Sequence, residues 1–349
     1  MASSPASSPA ADGAPGRSPA VPEDVLAAVR GATSVILTGH ERPDGDCIGA
    51  QAALARVLEA LGKRAHVLNP DPVEVTFDYL AAEVPYGVFD GGPLPEHDLI
   101  VLLDISELSR CGALAGPLGA SPATKLVIDH HVHHGEVWWD HCLVDRSASA
   151  TGLLVWRLAR DLGVDLDPLA CAGVFTSLVT DTGWFKYSNT DAETLAVAGE
   201  LIARGVEPAR LYEAIYQRNE PALPRDLARL LARLEYHADG RLALLATAPG
   251  EEPFDGDSDL LLDILRSVDG VEVVLFLREA RDGRARLSAR SKGTFDVNAL
   301  AREFGGGGHV KASGATLDGP IDLARERLLE RGLAHVEAHF GGEPGGGTA

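Results

Sequence analysis

Aromatic residues are scarce in this chain, 5% of 349 positions, and positive charge is outnumbered: 31 Lys and Arg stand against 51 Asp and Glu, a formal net charge of −20. So few aromatics leave no long platform on which the bases of a single strand could stack. The acidic excess excludes a general DNA coat or an anionic membrane surface as partner, because each demands a basic face. Cysteine is equally thin. Cys47, Cys111, Cys142 and Cys171 are scattered and make no C-x-x-C pair, so neither a disulfide scaffold nor a zinc ribbon is expected. No apolar run approaches the roughly 18 residues needed to span a bilayer. The opening MASSPASSPAADGAPGRSPA lacks the basic start and apolar segment of a secretory signal, and reads as a disordered tail over 1–21. A second flexible tail is expected over 339–349, and the cytoplasm is the expected location. What remains, 45% hydrophobic and 23% charged residues, is the balance of a globular chain with material for two domains.

From residue 34 short apolar strands alternate with helical stretches. SVILTG (34–39), RAHVLN (64–69), DLIVLLDIS (98–106) and KLVIDHH (125–131) read as strands, and 48–62 has apolar residues at helical spacing. Such alternation predicts an α/β fold with a doubly wound, mostly parallel sheet. Residues 149–234 read mostly helical. After His237 the pattern changes to strands at LALLATA, VEVVLFLREA and RARLSARS, with helices near 257–269 and after 296 and 321. That is a second, smaller α/β domain.

Four element ends carry one kind of chemistry. GHERPDGDCIGA follows the first strand with His40, Asp44 and Asp46; LIVLLDIS ends in Asp104; LVIDHH ends in Asp129, His130 and His131; and Asp181 closes an apolar helical stretch. A single Asp at a strand end is usually a turn or a cap. The joint pattern is not, because the carboxyl ends of strands in an open α/β sheet line one crevice. Carboxylates combined with imidazoles suit Mn²⁺, or Fe²⁺ and Zn²⁺, better than Ca²⁺. With this many donors two ions fit better than one, and a pair about 3.5–4 Å apart would clamp a phosphoryl group and ionise water. His133, His134, His141, His237 and His335 have no such setting and read as surface residues; Trp138 and Trp139 read as packing residues.

GHERPDGDCIGA, LLDISELSR, VIDHH and TSLVTDTGWF, in that order and spacing, resemble the four N-terminal motifs of the DHH phosphoesterases. The segment 289–317, ARSKGTFDVNALAREFGGGGHVKASGATL, resembles a DHHA1 domain. Together they are most similar to the bifunctional oligoribonuclease and pAp phosphatase subfamily, the nanoRNases. The resemblance implies a catalytic domain over 22–204, a helical linker over 205–234 and a substrate-binding domain over 235–338, with the active site in the cleft between the domains. It implies that His40, Asp44 and Asp104 hold one Mn²⁺ and that Asp46, Asp104, His130 and Asp181 hold the other, roles Mg²⁺ or another divalent cation could also fill. Asp104 would bridge. His131 would contact the scissile phosphate, making Asp104, His130 and His131 the catalytic core, with Asp129 orienting its neighbouring imidazoles.

The four glycines Gly305 to Gly308, followed by His309 and Lys311, let backbone N–H groups approach an anion closely. Between Arg281 and Lys311 the chain carries five Arg and two Lys against Asp282, Asp296 and Glu303, a basic island in an acidic protein. By resemblance Arg290, Gly306, Gly307, Gly308 and His309, with Lys311 beside them, would grip the substrate phosphate or terminal nucleotide. The expected activity is hydrolysis of oligoribonucleotides of two to five nucleotides to mononucleotides, and of pAp to AMP. Cleavage of cyclic di-AMP or pApA is the rival within the same chemistry, and a catalytically silent nucleotide sensor is the rival outside it. Long duplex nucleic acid is not an expected partner, and the family implies a homodimer.

Overall fold

A computed structural model of the chain describes residues 19–133, 135–250, 258–280 and 282–341. Most of the two expected tails lies outside the described residues, as do His134, Arg281 and the first residue of the helix expected near 257–269. The chain divides into two compact units between Arg218 and Asn219.

The first unit is built on β1 (Ser34–Thr38), β2 (Arg64–Asn69), β3 (Tyr86–Val88), β4 (Leu99–Leu103), β5 (Thr124–Asp129) and β6 (His141–Val144). All pair in parallel, in the order β3-β2-β1-β4-β5-β6. Every residue of β1 and β4 is buried, as in a sheet covered on both faces. On one face Val35, Leu37, Leu99 and Ile128 join the core made by α1 (Glu23–Gly31), α2 (Gly45–Ala60), α5 (Thr151–Leu162) and α6 (Pro168–Asp181). On the other, Ile36, Ile100, Leu102 and Val127 pack with a 3₁₀ segment, Leu108–Leu114, and α4 (Ala115–Ala120). A single turn, α3 (Asp78–Ala81), lies between β2 and β3. The strand order reverses between β1 and β4, so the carboxyl ends of these two neighbours flank the crevice of a doubly wound sheet.

α2 starts at Gly45, three residues before the apolar spacing predicts. Asp44 acts as its N-cap, accepting hydrogen bonds from the N–H groups of Asp46 and Cys47, and polar capping leaves no trace in hydrophobic periodicity. α2 and α6 cross at glycines. A Cβ on Gly49 would lie 2.3 Å from the Gly173 carbonyl oxygen, and one on Gly173 2.6 Å from that of Gly49. The close crossing keeps Asp46, at the start of α2, near Asp181, the last residue of α6.

The helical stretch expected after 192 is three helices: α7 (Ala192–Ala203), α8 (Pro208–Tyr216) and α9 (Leu223–Leu231). The division between units falls inside the segment 205–234 expected as a linker. Leu211 of α8 is buried in the first core, Leu223 and Leu230 of α9 in a core of the second.

The second unit is a mixed sheet of β7 (Glu235–His237), β8 (Leu242–Ala246), β9 (Val273–Glu279), β10 (Ala285–Ser291), β11 (Gly307–His309) and β12 (Ala312–Leu317), in the order β11-β12-β10-β9-β8-β7. Only β8 and β9 run parallel. One face (Leu242, Leu275, Leu287) packs with α11 (Val297–Glu303) and α12 (Ile321–Phe340); the other (Ala243, Leu245, Val274, Phe276) packs with α9 and α10 (Ser258–Arg266). Two expectations change here. The glycine run is not simply a loop, because Gly307 and Gly308 pair with β12 as an edge strand. Helix α12 also runs two residues into the segment expected as a flexible tail, because Phe340 stacks on Phe295 under the Arg241 guanidinium. Among the described residues no helix is long and apolar enough to cross a membrane.

Candidate metal centre

The four predicted element ends come together at the mouth of that crevice. His40 and Asp44 follow β1, Asp104 follows β4, His130 and His131 follow β5, and Asp46 and Asp181 sit on α2 and α6. Potential ligand atoms of His40, Asp44 and Asp104 all lie within 4.8 Å of one another, and the same holds for Asp46, His130 and Asp181 and for Asp104, His130 and His131. Asp104 joins the groups. Its Oδ2 is 3.3 Å from His40 Nε2, and its Oδ1 is 3.6 Å from His130 Nε2 and 3.4 Å from His131 Nδ1. The Asp104 backbone has φ 65, in the left-handed region, at a cost of roughly 1–2 kcal/mol; a short polar side chain tolerates it best. Asp104 is 4% exposed at its side chain and Asp44 62%, so the cluster opens to solvent on the Asp44 side.

Hydrogen bonds fix which ring nitrogens face the carboxylates. His40 Nδ1 lies 2.9 Å from the Glu41 carbonyl oxygen and His130 Nδ1 3.1 Å from that of Ala148. A carbonyl only accepts, so each Nδ1 is the donor, and each neutral ring keeps its lone pair on Nε2. His130 Nε2 is buried without a hydrogen-bond partner, while Asp46 Oδ2, Asp104 Oδ1 and Asp181 Oδ2 surround it at 3.5, 3.6 and 3.8 Å. Those spacings are too long for hydrogen bonds and suit donors that share a cation. This orphaned nitrogen, ringed by hard oxygens, fits a divalent metal.

The electrostatics agree. Burial opposes the charging of His130, but Asp104, Asp46 and Asp181 overcome it and push its pKa up to about 11. Burial lifts the Asp181 carboxyl to about 6, against the pull of His130 and with help from Asp104 and Asp44. Burial, then Asp104, raises Asp46 well above the usual carboxylate range. Asp104 resists burial because the imidazoles of His130, His40 and His131 hold it well below that range. Without a cation the cluster therefore holds protons in its place.

Several supporting residues carry no metal-site signal in the sequence. Helix α5 has Ala150 at its N-cap position and no side-chain cap of its own. The Asp46 carboxylate takes that role from another helix, accepting from the N–H groups of Thr151 and Gly152 and from Ser177 Oγ. Thr151 Oγ1 donates to Asp104 Oδ1, and Asn189 Nδ2 donates to Asp181 Oδ2. Asp129 is fully buried, accepts from Ser106 Oγ, and lies 2.8 Å from His131 Nδ1. The missing cap is itself a hint: a helix opening on Ala-Thr-Gly leaves its first N–H groups looking for an acceptor. Ser177→Ala is expected to weaken divalent-metal affinity about 10–100-fold with little change in secondary structure, read by calorimetric titration of Mn²⁺.

In the second unit, β12 places Ala312 between its register partners Arg290 on β10 and His309 on β11, so Arg290 and His309 share one sheet face. Gly306 is confined by packing, since a Cβ there would lie 2.1 Å from the Gly314 carbonyl oxygen. Gly308, at φ 138, is conformationally closed to other residues. Gly307 has open space where a side chain would be. Lys311 sends its ammonium to the Phe295 carbonyl oxygen at 3.0 Å, which ties the hairpin to the segment before α11. Trp138 donates from Nε1 to the Ser106 carbonyl, as suits a packing residue.

A crevice at the reversal point of a doubly wound sheet, two fused clusters of carboxylate and imidazole, and a mixed-sheet second unit define a phosphoesterase class. Residues 34–180 match the DHH family N-terminal domain and residues 243–340 the DHHA1 domain, and the chain belongs to this DHH–DHHA1 family. Its relatives include the bifunctional oligoribonuclease and PAP phosphatase NrnA of Thermus thermophilus, 36% identical over 310 residues, 88% of this chain and 91% of the relative. The protein of the same description from Bacillus subtilis is 27% identical over 296 residues, covering 81% and 89%. A crystal structure of an exopolyphosphatase-related protein from Bacteroides fragilis superposes with a TM-score of 0.85 at 27% identity, covering 91% of this chain and 96% of that one.

Proposed function

We infer that this chain is a two-metal, manganese-dependent phosphoesterase of the cytoplasm, which cuts short oligoribonucleotides to mononucleotides and removes the 3′-phosphate of pAp to leave AMP. The convergence of His40, Asp44 and Asp104 with Asp46, His130 and Asp181 carries this reading. It is supported by similarity, over most of the chain, to relatives named for both activities. One cation would be held by His40, Asp44 and Asp104, the second by Asp46, Asp104, His130 and Asp181. When bound, such a pair supplies Lewis acidity to the phosphoryl oxygens and lowers the pKa of water.

The chain's own groups do the positioning. Asp129 holds His131 by Nδ1, where it would face the scissile phosphate; burial of that imidazole is outweighed by Asp129 and Asp104, which raise its pKa. Asp46 and Asp181 are held in place by Thr151, Gly152, Ser177 and Asn189 and need not reorganise on loading. In the 235–338 segment, Arg290 and His309 with the glycine backbone would grip the substrate phosphate, so Arg290→Ala should raise KM about tenfold or more with kcat little changed.

The deciding experiment offers the Mn²⁺-loaded protein pAp, pApA, short RNA, cyclic di-AMP and pyrophosphate. Release of AMP from pAp and of mononucleotides from short RNA, ahead of the other substrates, is the expected result. Faster turnover of cyclic di-AMP or pyrophosphate would replace this reading, and tight pAp binding without turnover would make the chain a sensor.

A further inference from the structure

Helix α5 carries an arginine on its buried side. Arg157 lies beside Leu153, Leu154 and Leu158, all buried, and its side chain is 4% exposed. An arginine is almost never enclosed to that degree unless carboxylates pair with it. Arg157 has two such partners. Its Nε and Nη2 donate to the two oxygens of Glu193, in the first turn of α7, and its Nη1 donates to Asp145 Oδ2 at 2.6 Å, just past the end of β6. The rigid guanidinium fork thus ties α5 to residues 12 positions before it and 36 positions after it.

The chain between Asp145 and Arg157 reaches every proposed ligand of the second cation. The Ala148 carbonyl accepts from His130 Nδ1. Thr151 and Gly152 donate their N–H groups to Asp46, and Thr151 Oγ1 donates to Asp104. Asp181 is reached through Asn189, whose Nδ2 donates both to Asp181 Oδ2 and to the Ser149 carbonyl. The remaining ligands of the first cation are fixed without this segment: His40 by the Glu41 carbonyl, Asp44 by the N–H groups of Asp46 and Cys47. Asp145 divides its two oxygens between two tasks. Oδ1 accepts from Ser147 N–H and Oγ and closes the turn on itself, while Oδ2 takes Arg157 and sets where that turn stands against α5. Glu193 does the same for the start of α7, where Thr194 Oγ1 lies 2.8 Å from Ser149 Oγ.

We propose that Arg157 is a positioning residue for the second cation. It holds residues 148–152 and Asn189 in the one arrangement that lets Asp46, Asp104, His130 and Asp181 close on a single ion, and the first cation does not depend on it. The inference rests on the reading of the cluster as a two-cation site.

The test titrates chelator-treated full-length protein with Mn²⁺ by calorimetry and follows its electron paramagnetic resonance. An isolated Mn²⁺ gives a resolved hyperfine pattern, which is lost when two ions about 3.5–4 Å apart couple. Arg157→Met keeps an unbranched stem and strands the two carboxylates; Arg157→Lys keeps the charge but cannot fork between them. Each variant is checked by thermal unfolding. Arg157→Met is expected to weaken one of the two Mn²⁺ about 10–100-fold and leave the other within about threefold, so the isolated-ion spectrum persists at two equivalents of metal. Arg157→Lys should fall between Arg157→Met and the parent, and it carries the test if Arg157→Met does not fold. Leu118→Ala opens a cavity in the core on the far face of the sheet; it should lower stability and leave both affinities unchanged. Loss of neither ion in the folded Arg157 variants, equal loss of both, or the same loss in Leu118→Ala overturns the role of Arg157. A parent that binds one Mn²⁺ or none overturns the two-cation reading itself, and does so before any substitution is made.

Discussion

Asp104→Asn should lower kcat by about 10³-fold or more, the scale expected when a site loses its hold on Lewis-acid stabilisation worth several kcal/mol. Among the described residues no other belongs to two of the candidate ligand groups with both of its oxygens engaged. Oδ2 faces His40, while Oδ1 faces His130 and His131 and accepts from Thr151. Asparagine preserves the shape, but it removes the charge shared by the two proposed cations and places an amide N–H₂ against one of these partners. The fold should survive, since Asp104 lies beyond the end of β4 and its N–H still donates to the Ile128 carbonyl. Kinetics in Mn²⁺ beside a thermal melt provide the check. A folded variant that keeps metal-dependent turnover within tenfold of the parent would remove Asp104 from the bridging role.

Stripping the protein with chelator should take activity to background, and Mn²⁺ uptake at pH 7.5 should then release at least one proton. The sign follows from the metal-free cluster. His130, with its pKa near 11, holds a proton at neutral pH, and a metal can bind Nε2 only after that proton leaves. Calorimetric titration in buffers of different ionisation enthalpy counts the protons; none released at pH 7.5 would mean that the cluster binds no cation through His130. Stability has its own profile. A raised His130 pKa contributes stability that is complete below about pH 6.5 and fades only as pH climbs toward 11. Asp181, raised to about 6, works the other way, so its contribution falls as pH rises from about 4 to 6 and stays low above. Saturating Mn²⁺ at about 100 times its Kd should add back about 2.7 kcal/mol.

The alternation of apolar runs was enough to foresee the parallel sheet, and buried strands such as LIVLL differ little in sequence from their final extent. The residues that converge were also legible, because strand ends in such a sheet must share one crevice. Short edge strands were not. β3, β6 and β11 are only three or four residues long, and β11 is mostly glycine, so no period can be read from them. Ser177 and Asn189 escaped for another reason: their roles depend on contacts to Asp46 and Asp181, across 131 and 8 positions of chain, and a hydroxyl or amide looks the same whether it faces water or a carboxylate. The exact start of α2 was hidden because a polar cap set it.

That borrowed cap on α5 bears on how an inert form of the protein should be made. Asp44→Asn keeps an acceptor for the two N–H groups that open α2, and asparagine caps helices as well as aspartate does. Asp46→Asn instead forces an amide donor among three donors, Thr151 N–H, Gly152 N–H and Ser177 O–H, in a fully enclosed spot. Loss of activity at Asp46 would therefore mix chemistry with unravelling of a helix start. A dead enzyme that still reports faithfully on substrate binding is better sought at Asp44.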